Sequence, residues 1–284
     1  MVSQAQAEAA GRQALAEAKD SGKYKGLARL GYASRGVVYL IVGSFAVLAA
    51  FGSGRTTDTK GALTSLMGGP WGIALLALVA LGLLAFAAWR AVQGIADADG
   101  HGRDGKGLVI RGGLLVSAVT NLLLALFAVS LIFGGGGGSG GDGGTQSWIA
   151  KLMEEPFGQW LVGIVGAAVV GAGVAHIIKG WSAKFDKRFK PGYDKLGWVR
   201  PVCRFGLIAR GVVFMIIGSF IGIAAWRYDP QQARGLSGAL QALQEQPYGQ
   251  VLLGIVALGL VAFGLYCWVE AVYRRIDVAQ IENT

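Results

Sequence analysis

Six long apolar stretches constrain this chain more than any other feature. They run at about Gly31–Phe51, Trp71–Val92, Gly112–Phe133, Phe157–Ile178, Gly206–Trp226 and Tyr248–Val272. Each reaches the ~20 residues a helix needs to cross the hydrocarbon of a bilayer. Ala, Leu, Val and Gly fill them without the alternation of a barrel strand, which would last only ~10 residues. Charged residues make up 15% of the chain, against roughly a quarter in a soluble domain. High hydrophobicity excludes a disordered chain. The 47 glycines have no period of three, which excludes collagen. The expectation is an all-α membrane protein with six transmembrane helices.

Charge sets the expected orientation. Of 26 Lys and Arg, only Arg55, Lys60, Lys151, Arg227 and Arg234 fall in the first, third and fifth connections. The other 21 lie in or beside the N-terminal tail, the even connections and the C-terminus. The positive-inside rule therefore puts both termini in the cytoplasm of a multi-pass protein of the cell membrane. The basic balance is topogenic and faces anionic headgroups; nucleic acid is not an expected partner. Residues 1–29 lack the apolar region of a cleavable signal peptide, and their Ala-rich sequence suits a helix on the cytoplasmic membrane surface. Cys203 and Cys267 fall near the reducing face, so no structural disulfide is expected. His101 and His176 have no partner pattern for a metal or haem, and no cofactor is expected.

The chain is also a threefold repeat. Aligning Arg29, Arg111 and Arg204 superposes Gly31, Gly113 and Gly206, and then Phe45, Phe127 and Phe220. The second helix of each pair opens on Pro70-Trp71-Gly72, Pro156-Phe157-Gly158 and Pro247-Tyr248-Gly249. Before each start lies a short amphipathic stretch carrying Leu63/Leu66, Ile149/Leu152 or Leu240/Leu243, suited to the outer interface. The organisation read from this is a tail (1–25) and repeats at 26–100, 101–190 and 191–284. The glycine run at 134–144 lies in the second. Three parallel two-helix units predict a six-helix bundle with pseudo-threefold symmetry about the membrane normal.

The Arg-Gly-Val-Val-aromatic run at 35–39 and its copy at 210–214, the Pro-aromatic-Gly starts, and the Ala-Leu-x-x-Leu runs at 62–66 and 239–243 resemble the DUF1206 family of bacterial membrane proteins. The resemblance covers about residues 26–277 and implies three tandem two-span units. It implies no activity. The second copy departs most, with Ser117 for the arginine and Asn121 for the aromatic.

Three sets of residues are candidates for function. Arg35 and Arg210, near the cytoplasmic ends of their helices, are topogenic snorkelling arginines or sites for a lipid phosphate. Glu270, near the same face, is a candidate partner for an arginine there. Gly163, Ala167, Gly171 and Ala175 on the fourth span, with Gly218 and Gly222 on the fifth, form small-residue rows for helix packing, within the chain or with a partner. Ser117, Thr120 and Asn121 are the most polar set inside a span and would line a path if one exists. Arg35, Arg90, His176, Lys179, Arg210 and Glu270 all read as end residues. An empty midplane argues against ion-coupled transport. The glycine run lacks a Gly-Lys-Ser/Thr ending and is a linker, not a P-loop. No nucleophile–base pair stands out, so no enzyme is expected. The leading expectation is a non-enzymatic scaffold or accessory subunit that binds other membrane proteins or anionic lipid. The alternative is a passive channel for a small, weakly polar solute.

Overall fold

The computed structural model describes residues 4–52, 56–68, 71–134, 142–195 and 197–275, with side chains from Lys25 onward. Its long helices are α1 (Gln4–Ala50), α3 (Gly72–Ile95), α4 (Gly105–Ile132), α6 (Gly158–Trp181), α7 (Val199–Arg227) and α9 (Gly249–Tyr273). Among the described residues these are the helices long and apolar enough to cross a membrane, α1 through its Lys25–Ala50 part. The N-terminal stretch is not a separate surface helix. It contains no proline, and α1 runs unbroken through it into the first span.

Short helices α2 (Thr59–Leu66), α5 (Asp142–Glu154) and α8 (Leu236–Gln244) precede α3, α6 and α9 on one face of the bundle. Leu63, Ile149 and Leu240 are buried beneath them. The recurring glycine after each aromatic has a steric reason. A Cβ on Gly72, Gly158 or Gly249 would lie 2.5, 2.1 and 2.0 Å from the carbonyl oxygens of Leu66, Leu152 and Gln244. The aromatics Trp71, Phe157 and Tyr248 are exposed, as interfacial anchors are. Pro70 and Arg55 lie outside the described residues. Asp142 joins two of the short helices: its Oδ1 accepts from the backbone N–H of Gly235 (2.8 Å) and Gly238 (3.1 Å) and from the Ser237 hydroxyl (3.3 Å).

The most extensive packing is between repeats: α3 on α4, α6 on α7, and α9 on α1. The three interfaces use equivalent positions. A Cβ on Gly211 would lie 2.6 Å from the Gly173 carbonyl, and one on Gly36 would lie 2.9 Å from that of Gly264. Seven residues along, Gly218 meets the Gly166 carbonyl and Gly43 that of Ala257. In α4 the matching residues Ala118 and Ala125 are buried. The aligned arginines also do the same work. Arg111 donates to the carbonyls of Gly94 (2.8 Å) and Ile95 (2.7 Å), and Arg204 to those of Gly180 (3.2 Å) and Trp181 (3.0 Å). Each satisfies carbonyls left open at the end of the preceding helix.

Packing inside the repeats is unequal. Helices α1 and α3 pack, as do α7 and α9, but α4 and α6 do not pack along one another. A Cβ on Gly31 would lie 2.6 Å from the Phe86 backbone, and one on Gly206 would lie 2.4 Å from that of Phe263. At the equivalent Gly113 a Cβ would meet nothing within 4 Å. Similar contacts thus join one repeat to the next, but the second repeat lacks the internal pairing of the other two, and pseudo-threefold symmetry of the whole bundle is not shown. The helices form a sequence of neighbours, α4–α3–α1–α9–α7–α6, open between its two ends.

The small-residue rows divide accordingly. Gly218 packs on α6, and Gly222 lies against Gly166, whose Cβ would be 2.9 Å from the Gly222 nitrogen. The face of α6 that packs on α7 is Gly166, Gly173 and Gly180, all buried. The row read from sequence is on other faces of α6: Ala167, Gly171 and Ala175 are exposed, and a Cβ on Gly163 would reach only Ala225, at 3.9 Å. That row is not a packing face within the described chain.

Candidate anion-binding site

The six ionisable residues that read as scattered helix ends converge. A repeat register counted from the Gly72, Gly158 and Gly249 starts puts Arg90 and His176 at one position and Gln93, Lys179 and Glu270 at another. Arg35 and Arg210 share a third position on the first helices. The equivalent interfaces therefore aim these side chains at one region, on the face opposite the short helices.

At the end of this region the polar groups are paired. Arg274 bonds Glu270 (2.8 Å) and Asp99 (3.2 Å), and Arg188 bonds Asp99 (3.2 Å). Tyr266 donates to Glu270 (2.8 Å), Lys179 donates to the Tyr266 hydroxyl (2.7 Å), and Gln93 donates to Asp99 (2.8 Å). Backbone bonds from Lys190 to the Tyr273 carbonyl and from Arg275 to the Arg188 carbonyl close the same corner. The network ties α3, the α3–α4 loop, α6, the 3-10 turn at Lys184–Arg188 and α9 together. Glu270 does find an arginine, Arg274 rather than Arg35 or Arg210.

Burial alone would raise the Asp99 pKa; the charges of Arg274 and Arg188, helped by His101, outweigh it and hold the carboxyl below its ordinary value. A depressed carboxylate adds stability above its unfolded pKa and loses it as pH falls through the folded one. The stability gap between wild type and Asp99→Asn, read from thermal midpoints in detergent, should be full from neutral pH down to about pH 4, the ordinary carboxylate value, and close only as the pH falls further, through the lower folded value. A gap that persists in acid would show that Asp99 acts through packing and not through charge.

Deeper in the bundle the balance changes. Arg210 lies eleven residues into α7, about 16 Å from its start. It is 7% exposed. Its guanidinium sits over the rings of Phe263 (4.4 Å), Phe214 (4.7 Å) and Tyr39 (5.0 Å). Half-buried Arg35 stands over Phe86 (5.1 Å), Phe263 (5.4 Å) and Tyr39 (5.7 Å), and Arg90 over Phe86 (4.7 Å). The expected snorkelling toward water is not what Arg210 does; it points into an aromatic cage. Asp99 and Glu270 pair with Arg188 and Arg274, and the ion pairs among the described residues leave Arg35, Arg90 and Arg210 without a carboxylate. Cation–π contacts are worth ~0.5–2 kcal/mol each, against several kcal/mol to bury an uncompensated charge.

The unsatisfied atoms point the same way. Buried side-chain atoms without a hydrogen-bond partner include Nε and Nη1 of Arg210, Nε of Arg90, the Tyr32 hydroxyl and Nε1 of Trp89. Arginine and tryptophan nitrogens can only donate. Arg90 finds one acceptor in Gln93 Oε1 (3.2 Å), but Arg210 has none for Nε and Nη1, and an anion would supply acceptors and negative charge together.

Elsewhere the structure offers less chemistry. Asn121 donates to the Ser117 carbonyl (2.7 Å) and Thr120 to that of Val116 (2.9 Å), so α4 satisfies its own polar side chains. Toward the short helices, the space between the spans is filled by Val42, Ala46, Leu76, Leu83, Leu253 and Leu260. A groove of about 550 Å³ beside Ile177, Val212, Met215 and Phe220 has Ser219 as its polar residue. Among the described residues no group of His, Cys, Asp and Glu is placed to hold a metal.

A family model described as Domain of Unknown Function (DUF1206) matches residues 30–97, 112–183 and 205–274. The chain is 37% identical over 257 residues to the "Uncharacterized protein YxxB" of Bacillus subtilis (strain 168), an alignment covering 89% of this chain and 92% of that relative. No solved structure matches. The three matched segments each hold one pair of spanning helices, and across them the chain belongs to the DUF1206 family.

Proposed function

We propose that this membrane protein works by binding rather than by catalysis, and that its ligand is the headgroup of an anionic membrane lipid held at Arg35, Arg90 and Arg210. The cytoplasmic leaflet, where the charge distribution puts this end of the bundle, is the leaflet rich in such lipids. The observation that carries the reading is Arg210, a buried guanidinium with two unpartnered nitrogens and no carboxylate. A phosphate accepts two parallel bonds from a guanidinium, and the aromatic cage keeps the charge ready without neutralising it. Lipid held in this way suits an accessory or scaffold role among other membrane proteins. The channel reading has no supporting contact.

The test is retention of phosphatidylglycerol against phosphatidylcholine through detergent exchange, read by native mass spectrometry. Each charge-assisted bond is worth ~1.5–3 kcal/mol, so Arg210→Gln should retain phosphatidylglycerol at least ~10-fold less well. The lipid-free variant should be as stable as wild type or more so, because the substitution removes an unpaired buried charge. Equal retention by wild type and Arg210→Gln would refute the site. Loss of stability without loss of lipid would make Arg210 a packing residue.

A further inference from the structure

The second repeat differs from the others at the positions that close a helix pair. Phe86 and Phe263 occupy equivalent places in α3 and α9, and each covers both an arginine and the glycine of its partner helix. The equivalent residue in α6 is Ala172. The arginine and aromatic of α1 and α7 are Ser117 and Asn121 in α4. The large groups that fill the space inside repeats one and three are absent from repeat two, and the result is the seam between α4 and α6. Gly113 has open space around it, and Ala168, Gly171 and Ala175 are exposed. Behind the seam stands His176, half-buried, its ring 5.5 Å from that of Phe214. Phe214 in turn covers the unpartnered Arg210 at 4.7 Å.

Resting on the binding function proposed above, we infer that the α4–α6 seam is the lateral entrance of the site: an anionic phospholipid enters sideways from the bilayer, its acyl chains lie between α4 and α6, and its headgroup passes His176 and Phe214 to Arg210. Three features favour this occupant. The walls of the seam are small, and the polar side chains among them, Ser117 and Asn121, bond within α4, so they accommodate chains without specifying them. Helices α4 and α6 are the least buried of the spans, so a tail between them stays in contact with hydrocarbon. The charge behind it selects an anion.

Single cysteines at Gly113→Cys and Gly171→Cys, each carrying a fluorophore, report on the seam; a side chain at either position meets nothing within 4 Å. Leu258→Cys, on an exposed position of α9, is the control, and the native Cys203 and Cys267 are fully buried. The full chain is placed in vesicles containing brominated phosphatidylglycerol or brominated phosphatidylcholine, whose chains quench the label on contact. Seam labels should prefer the anionic lipid about fivefold, what one added cation contact is worth, and lose that preference with Arg210→Gln; the Leu258 label should show none. Equal preference at seam and control would reduce the effect to general attraction to a basic face and overturn the inference. Phosphatidylglycerol retained by the protein without preference at the seam would overturn the entrance and leave the binding site standing. Quenching by neither lipid would mean that protein fills the seam, in place of lipid. Failure to retain phosphatidylglycerol at all would overturn the binding reading, and the entrance with it.

Discussion

Gly206→Ala should destabilise the protein by about 2–3 kcal/mol, while the same change at Gly113 should stabilise it by about 0.5–1 kcal/mol. The two glycines occupy one repeat position, so helix propensity favours alanine equally at both. Their surroundings decide the sign. The added methyl at Gly206 would lie 2.4 Å from the Phe263 nitrogen and 2.7 Å from its Cα, backbone atoms that cannot turn away, whereas at Gly113 it meets nothing within 4 Å. Unfolding midpoints in a detergent titration read both. Matching losses at the two positions would mean that α4 and α6 close on each other as the other pairs do, and the seam would not exist in the membrane.

Glu270→Gln should cost about 3–5 kcal/mol, because breaking a buried ion pair leaves its partner uncompensated. The substitution preserves shape and removes charge. Glu270 is 4% exposed and accepts from Arg274 and Tyr266. A second substitution, Arg210→Gln, should restore part of the loss, since it lowers the surplus of positive charge. The two then couple through the field of the cluster without touching. Added phosphatidylglycerol should narrow the gap between Glu270→Gln and wild type. A Glu270→Gln protein within 0.5 kcal/mol of wild type would mean that the cluster is wet and well screened, and the case for a missing anion would lose its basis.

Much of this architecture is legible in the chain. Hydropathy alone locates the spans, though α4 starts at Gly105, upstream of the expected Gly112, because Asp104 caps it through the Gly107 amide. The amphipathic leucine pairs mark α2, α5 and α8. What hydropathy hides is convergence. Arg35, Arg90, Lys179 and Arg210 look like separate snorkelling ends until the neighbours of each helix are known, and the neighbours are chosen by glycine contacts such as Gly211 on Gly173. The repeat register carries the missing signal, since Arg35 matches Arg210, and Gln93 and Lys179 match Glu270. Likewise Gly163, Ala167, Gly171 and Ala175 have the right spacing for a packing face, but the backbone approach is made by Gly166, Gly173 and Gly180. Spacing identifies a row of small residues; it does not say which row meets a neighbour.

The pairing of α1 with α9 has a consequence for biosynthesis. Helix α1 leaves the ribosome well before α9, its most extensive partner, whose end lies more than two hundred residues further along the chain. Until α9 arrives, Arg35 lacks Phe263, and the corner it stands above lacks Glu270 and Arg274. An arginine well inside a span is expensive while it waits. The nascent chain must therefore hold α1 near the membrane surface, or shelter its arginine against lipid phosphate or the insertion machinery, and complete its docking only after α9 is made. Assembly of these six spans is a closing step made once, by α9.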